Sequence, residues 1–158
     1  MTGIVAQNVG RTSGLIKSAG GGGGVWTLIK TITADGSGTS ITFAHSTSDV
    51  ILDSTYSIYL FKYINVHPSN DGVGLSVNFR DGSTAYDATK TGTYFYADHT
   101  ESDSSTAFAQ STSDSIEQTT SAQKLTGNIG SGNDESGSGE LWLFNPSSTV
   151  SVKHYLGR

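Results

Sequence analysis

Hydrophobic and polar positions alternate with a period of two along much of this chain, most clearly from Thr55 to His67. That stretch reads Thr-Tyr-Ser-Ile-Tyr-Leu-Phe-Lys-Tyr-Ile-Asn-Val-His, rich in β-branched and aromatic residues and without Gly or Pro. It predicts a strand. Alternation places Tyr56, Ile58, Leu60, Lys62 and Ile64 on one face and Ser57, Tyr59, Phe61 and Tyr63 on the other. An antiparallel strand ordinarily keeps one face polar. Two apolar faces therefore call for a second covering layer. Glu140 to Asn145 repeats the pattern, with Leu141 and Leu143 on one side and Trp142 and Phe144 on the other.

The same reading predicts strands at Val25 to Thr33, Ser40 to Phe43, Gly74 to Arg80, Thr93 to Asp98 and Val150 to Leu156. Lys124 to Thr126 fits a short edge strand. Asp35-Gly36, Asp71-Gly72 and Asp81-Gly82 punctuate these runs as turn signals. His99 to Ala122 is nearly all Ser, Thr, Asp, Glu and Gln, with Phe108 and Ile116 its only bulky apolar residues. It is expected as a long surface loop with one helical turn near Ser115 to Gln118. Asn128 to Gly139 is expected as a second loop. Seven or eight short strands with no helical period predict an all-β fold, an antiparallel β-sandwich resembling a jelly roll. Of this sandwich, Ile58, Leu60 and Ile64 are expected to face the core. Tyr59, Phe61, Tyr63, Trp142 and Phe144 are expected at an oligomer interface. The last strand pattern reaches Leu156 and the chain stops at Arg158, which predicts a longer gene product.

Residues 1–24 differ from the rest of the chain. Ile4, Val5, Val9, Leu15 and Ile16 are spaced among small and polar residues, and five glycines come next at Gly20 to Gly24. A run of glycines loses the most backbone entropy on ordering, so it predicts a swivel. The organisation expected is an extended anchoring arm with a Gly-rich hinge over 1–24, then a β-sandwich over 25–158. Ile4, Val5, Val9, Arg11, Leu15, Ile16 and Lys17 are the arm's docking residues. Arg11 and Lys17 are its only charges, so all 14 acidic residues lie beyond it.

Composition supports the strand reading. The 158 residues include 24 Ser, 20 Thr and 20 Gly, which leaves few strong helix formers. With no Cys, neither a disulfide nor a zinc-thiolate site can hold the fold. A net charge of −5 argues against broad nucleic-acid contact. No stretch approaches the roughly 20 apolar residues that span a bilayer, so no membrane insertion is expected. The N-terminus lacks a basic start followed by an apolar run, so no secretory signal is expected. A soluble intracellular product, or part of a particle assembled inside a cell, fits these features.

Candidate chemistry is sparse. His45, His67, His99 and His154 have neither the i, i+4 spacing nor the His-Glu-x-x-His pattern of a helical metal site. Asp98 to Asp103 is the densest ionisable cluster, without EF-hand spacing, and reads as a solvated loop. No Gly-x-Ser-x-Gly elbow and no phosphate loop occurs, so no enzyme, metal or cofactor is expected. Trp26, Tyr59, Tyr63, Tyr94, Tyr96 and Trp142 are candidates for stacking on sugar rings; the plainer reading puts them in a core or subunit interface.

Three segments carry a family resemblance. Ala6-Gln7-Asn8-Val9-Gly10-Arg11 with Ser13-Gly14-Leu15-Ile16-Lys17, the Gly run, and Trp26-Thr27-Leu28-Ile29 form the first. Asp53-Ser54-Thr55-Tyr56 leading to Ile64-Asn65-Val66-His67-Pro68 is the second, and Ser138 to Ser148 with Val152-Lys153-His154 the third. Together they resemble structural proteins of tailed bacteriophages with marine and cyanobacterial hosts. The resemblance implies a virion fibre, tail or capsid decoration subunit, assembled in the host cytoplasm, displayed on the particle and often trimeric. Its partners would be other virion proteins, met through the arm. The alternative is a carbohydrate-binding module for host adsorption, with a host surface glycan as its partner.

Overall fold

The computed structural model describes residues 26–158 apart from positions 37, 48, 83 and 101. The residues expected to anchor the chain, Ile4 to Lys17, lie outside the described residues. The chain divides into two compact units, Met1–Ile51 and Leu52–Arg158.

In the first unit, the strands expected at Val25 to Thr33 and Ser40 to Phe43 do not form among the described residues. The side chains of Trp26, Leu28 and Ile41 stay exposed there. β-Branched composition favours an extended backbone, but a strand also needs a hydrogen-bonding neighbour and a surface to cover. Gly36 has a φ of 78°, as the Asp-Gly signal requires, yet no ladder flanks it. The unit's described order sits in a tight turn. The Ser46 N–H bonds the Val50 carbonyl at 2.8 Å, and Val50 is buried.

The second unit is all-β, with antiparallel sheets and no helix among the described residues. Its strands are β1 (Ile58–Val66), β2 (Ser76–Val77), β3 (Lys90–His99), β4 (Thr106–Thr119), β5 (Gln123–Lys124), β6 (Gly137–Phe144) and β7 (His154–Gly157). They form a three-stranded sheet in the order β1-β6-β7, with two-stranded pairs β2-β5 and β3-β4. The sheets are open.

The long Ser/Thr-rich segment is not a loop. It contains β4, the longest strand, which returns along β3 as a hairpin. Both faces of this ribbon meet solvent over much of its length, so the segment has no apolar alternation to reveal it. Thr is nevertheless a good strand former, and the β3 backbone supplies the ladder. At the tip, the Thr100 hydroxyl accepts bonds from the Ser104 and Ser105 N–H groups at 3.1 and 3.0 Å. Two register shifts interrupt the hairpin between Lys90 and Tyr94. The larger bulges out Thr112 to Ser115, and there the Ser115 hydroxyl accepts a bond from the Tyr94 N–H at 3.0 Å. The helical turn expected at Ser115 to Gln118 is likewise strand, with Gln118 at a φ of 41°. The expected Gly74 to Arg80 strand shrinks to Ser76–Val77.

Register decides the core. Tyr59 pairs with Leu143 and Phe61 with Leu141, while Ile58 pairs with Phe144 and Leu60 with Trp142. Directly opposed residues share a face. Tyr59, Phe61, Leu141 and Leu143 therefore occupy one side, where Tyr59, Leu141 and Leu143 are all buried. Ile58, Leu60, Trp142 and Phe144 occupy the other. On β1 the buried residue is Tyr59, from the face expected at an interface, while Ile64, expected in the core, is 71% exposed and Tyr59 is 4% exposed. The expected interface set is also divided, because Trp142 and Phe144 lie across the sheet from Tyr59, Phe61 and Tyr63. Burial of Tyr59 is made possible by the bonds of its hydroxyl. It donates to the Asp53 carbonyl and accepts from the Asp53 N–H, both at 3.0 Å, so the phenol is buried with its polar end satisfied.

Candidate functional site

β3 carries Thr93, Tyr94, Phe95 and Tyr96 in succession, and its alternation sends Tyr94 and Tyr96 to the same side. Their ring centroids stand 6.4 Å apart with planes 24° from parallel. On the three-stranded sheet, Tyr63 from β1 and Tyr155 from β7 belong to the Tyr59 side by register. The Tyr155 hydroxyl bridges outward to the Thr91 carbonyl at 3.3 Å and to Gln123 Oε1 at 3.4 Å. Phe79 packs against the Tyr155 ring with centroids 5.3 Å apart. These contacts bring the base of the hairpin onto the sheet at Tyr155. The result is a cleft of about 810 Å³ whose lining includes all four tyrosines.

Glycine makes the approach possible. A Cβ on Gly92 would collide with Gln123 Oε1 and the Tyr155 hydroxyl. A Cβ on Gly139 would collide with the Tyr63 hydroxyl and the Arg158 carbonyl. Gln123 itself is 4% exposed and fully engaged, its amide donating to the carbonyls of Asp114 and Lys124 at 3.0 and 3.2 Å.

Burial pushes the Tyr63, Tyr94 and Tyr155 hydroxyls above the usual phenol range. For Tyr63 the nearby Tyr94 adds to the rise. For Tyr94 the Lys124 ammonium opposes it and Asp114 adds to it. All three are therefore neutral phenols at neutral pH, able both to donate and to accept. The Lys124 ammonium lies 5.7 Å from the Tyr94 ring centroid and pairs with Asp114 at 3.3 Å. Asp114 is held below the usual carboxylate range by the Ser111 hydroxyl first and by Lys124 as well. At the other end, Arg158 pairs with Glu140 at 3.0 Å, and the Lys153 ammonium bonds the Ser148 carbonyl.

The lining combines aromatic faces, hydroxyls, one amide and cations that already have partners. It includes no Asp or Glu, so chemistry requiring two carboxylates has no residues here. Among the described residues no group of three or more His, Asp or Glu gathers at one point. At the hairpin tip, His99 pairs with Asp103 at 2.8 Å and both side chains are exposed. Aromatic faces and hydroxyls, rather than carboxylates, dominate the lining of the cleft.

Of the stacking candidates read from sequence, Tyr63, Tyr94 and Tyr96 converge here. Tyr59 is buried, Trp142 lies on the opposite side of the sheet, and Trp26 belongs to the other unit. Tyr155 and Gln123 were not legible as site residues. Each is one ordinary residue in a short strand, and only long-range packing brings them to Gly92. The chain matches no protein-family model, no curated protein and no solved structure.

Proposed function

We propose that this chain is a structural component of a bacteriophage virion, a fibre or decoration subunit held on the particle through residues 1–24. In this reading the strands of the body complete a jelly-roll-like sandwich within an oligomer, a trimer. Other virion proteins are the partners of the arm. The single observation that carries assembly is the outer side of the β1-β6-β7 sheet. Ile58 and Leu156 there are exposed, and Leu60, Trp142 and Phe144 are half-buried, so an apolar strip spans all three strands. Contiguous apolar surface of this kind marks an interaction site. The core points the same way, because no described side chain is less than 2% exposed. The sequence resemblance to phage structural proteins supports the virion role.

Sedimentation equilibrium at micromolar concentration tests the assembly. A trimer that Leu156→Asp dissociates is the expected result, and a stable wild-type monomer overturns the reading. Binding of the chain to the particles encoded with it, with and without residues 1–19, tests the anchor. Truncated protein that still decorates particles would sink that part.

A further inference from the structure

The tyrosines of the cleft are not used by the assembly reading, since Tyr63 and Tyr155 lie on the Tyr59 side of the sheet; Leu156 alone belongs both to the lining and to the outer strip. Its volume of about 810 Å³ falls in the range of small-molecule and oligomer sites. Tyr94 and Tyr96 present adjacent, nearly parallel rings along one side of β3. Around them stand hydroxyls that donate and accept without net charge: the phenols of Tyr63 and Tyr155 and the side chains of Ser136 and Ser138. A ligand matching both features has flat apolar faces and a rim of hydroxyls. Sugar rings have that form, with C–H groups on the ring faces and hydroxyls around the edge.

Nucleic-acid bases also stack on tyrosine, but a single-strand groove needs unpaired cations along the backbone path. Here Lys124 pairs with Asp114 and Arg158 with Glu140, while Lys153 bonds the carbonyls of Ser148 and Ser151 and is the one lining lysine whose bonded groups carry no charge. The chain as a whole is acidic. A single such lysine in an acidic chain does not make the row of cations that an extended line of phosphates needs.

We propose that the cleft is a carbohydrate-binding site in which consecutive sugar rings stack on Tyr94 and Tyr96. Their hydroxyls bond the side-chain hydroxyls of Tyr63, Tyr155, Ser136 and Ser138. The site is non-catalytic in this proposal, and its stacking residues lie outside the strip proposed for assembly.

Titration calorimetry of the full chain with cellohexaose, chitohexaose and an oligogalacturonate tests it, and the three probes separate neutral from acidic chains. At least one probe is expected to bind. Tyr96→Ala should weaken that binding by about tenfold or more, as expected for loss of one stacking ring. Tyr96→Phe, which keeps the ring, should bind within about twofold of the wild type. Phe108→Ala, on the opposite side of the same hairpin, should leave binding unchanged. The proposal is overturned if none of the probes binds at millimolar concentration. Wild-type affinity in a folded Tyr96→Ala variant, or equal loss in Phe108→Ala, also overturns it. So does displacement of the sugar by oligothymidylate. Sedimentation of the same samples reports assembly separately, so failure of either proposal is visible without the other.

Discussion

Leu60 stands directly opposite Trp142 across the β1–β6 ladder, one position out of phase with the pairing of Tyr59 and Leu143. That phase assigns different work to the two sides of the sheet. The Tyr59 side holds the core and the Tyr63 and Tyr155 wall of the cleft. The Leu60 side turns an apolar strip outward. A slip of one residue would exchange them completely. Separate features mark the registers of β1 and of β7 on β6. Beyond Tyr63 a bulge adds one residue to β1, with Asn65 at a φ of 51° and its N–H bonded to Ser138 Oγ at 2.9 Å. Arg158 and Glu140 exchange both backbone hydrogen bonds, at 2.9 and 2.7 Å.

The Tyr59 hydroxyl is expected to matter separately from its ring. Tyr59→Phe keeps the packing but leaves the Asp53 N–H and carbonyl without that partner, which should cost about 1–2 kcal/mol. Tyr59→Ala should cost about 3–5 kcal/mol by opening a cavity beside Leu143. Urea unfolding of the two variants reads both values. A Tyr59→Phe midpoint equal to that of the wild type would show that the hydroxyl contributes nothing.

Gly92→Ala should destabilise the second unit by about 1–3 kcal/mol, because the new methyl would overlap Gln123 and Tyr155. The effect comes from crowding and not from backbone strain. Shortening the neighbour should relieve it, so Gly92→Ala combined with Gln123→Ala should lose less than the two changes do singly. Strict additivity in that double-mutant cycle would show that the contact is not responsible.

Acid stability should depend on Glu140. Its carboxyl is held below the ordinary value of 4.5 by Arg158 first and Lys62 next, with the Trp142 indole adding a bond and partial burial opposing them. A carboxylate depressed in the folded state stabilises fully above its unfolded value, and that contribution is lost as pH falls through the lower folded value. Thermal midpoints should therefore fall on acidification below 4.5. Glu140→Gln should flatten this part of the decline, and Arg158→Ala should flatten it partly. An unchanged acid limb in Glu140→Gln would exclude the mechanism.

Local chemistry made part of this molecule legible in its sequence. Thr55 to His67 and Glu140 to Asn145 read as strands because β-branched and aromatic alternation is a local property. The same two runs form the β1–β6 ladder of the three-stranded sheet. Gly36 and Gly72 adopt the positive φ that their Asp-Gly pairs signal, because only the residue's own sterics decide it. Three of the six stacking candidates, Tyr63, Tyr94 and Tyr96, meet in one cleft.

What sequence could not decide was pairing. Thr106–Thr119 has the composition of a loop and becomes a strand because β3 lies beside it. Val25 to Thr33 has the composition of a strand and does not become one among its described residues. By itself the sequence determined an all-β chain, the positions of its turns and the presence of two apolar faces on its central strands. Only the tertiary structure decided which face was inside and which tyrosines met. Burial depends on register and on hydrogen-bond partners far along the chain, as with the Asn65 bulge at Ser138 and the Tyr155 contact with Gln123.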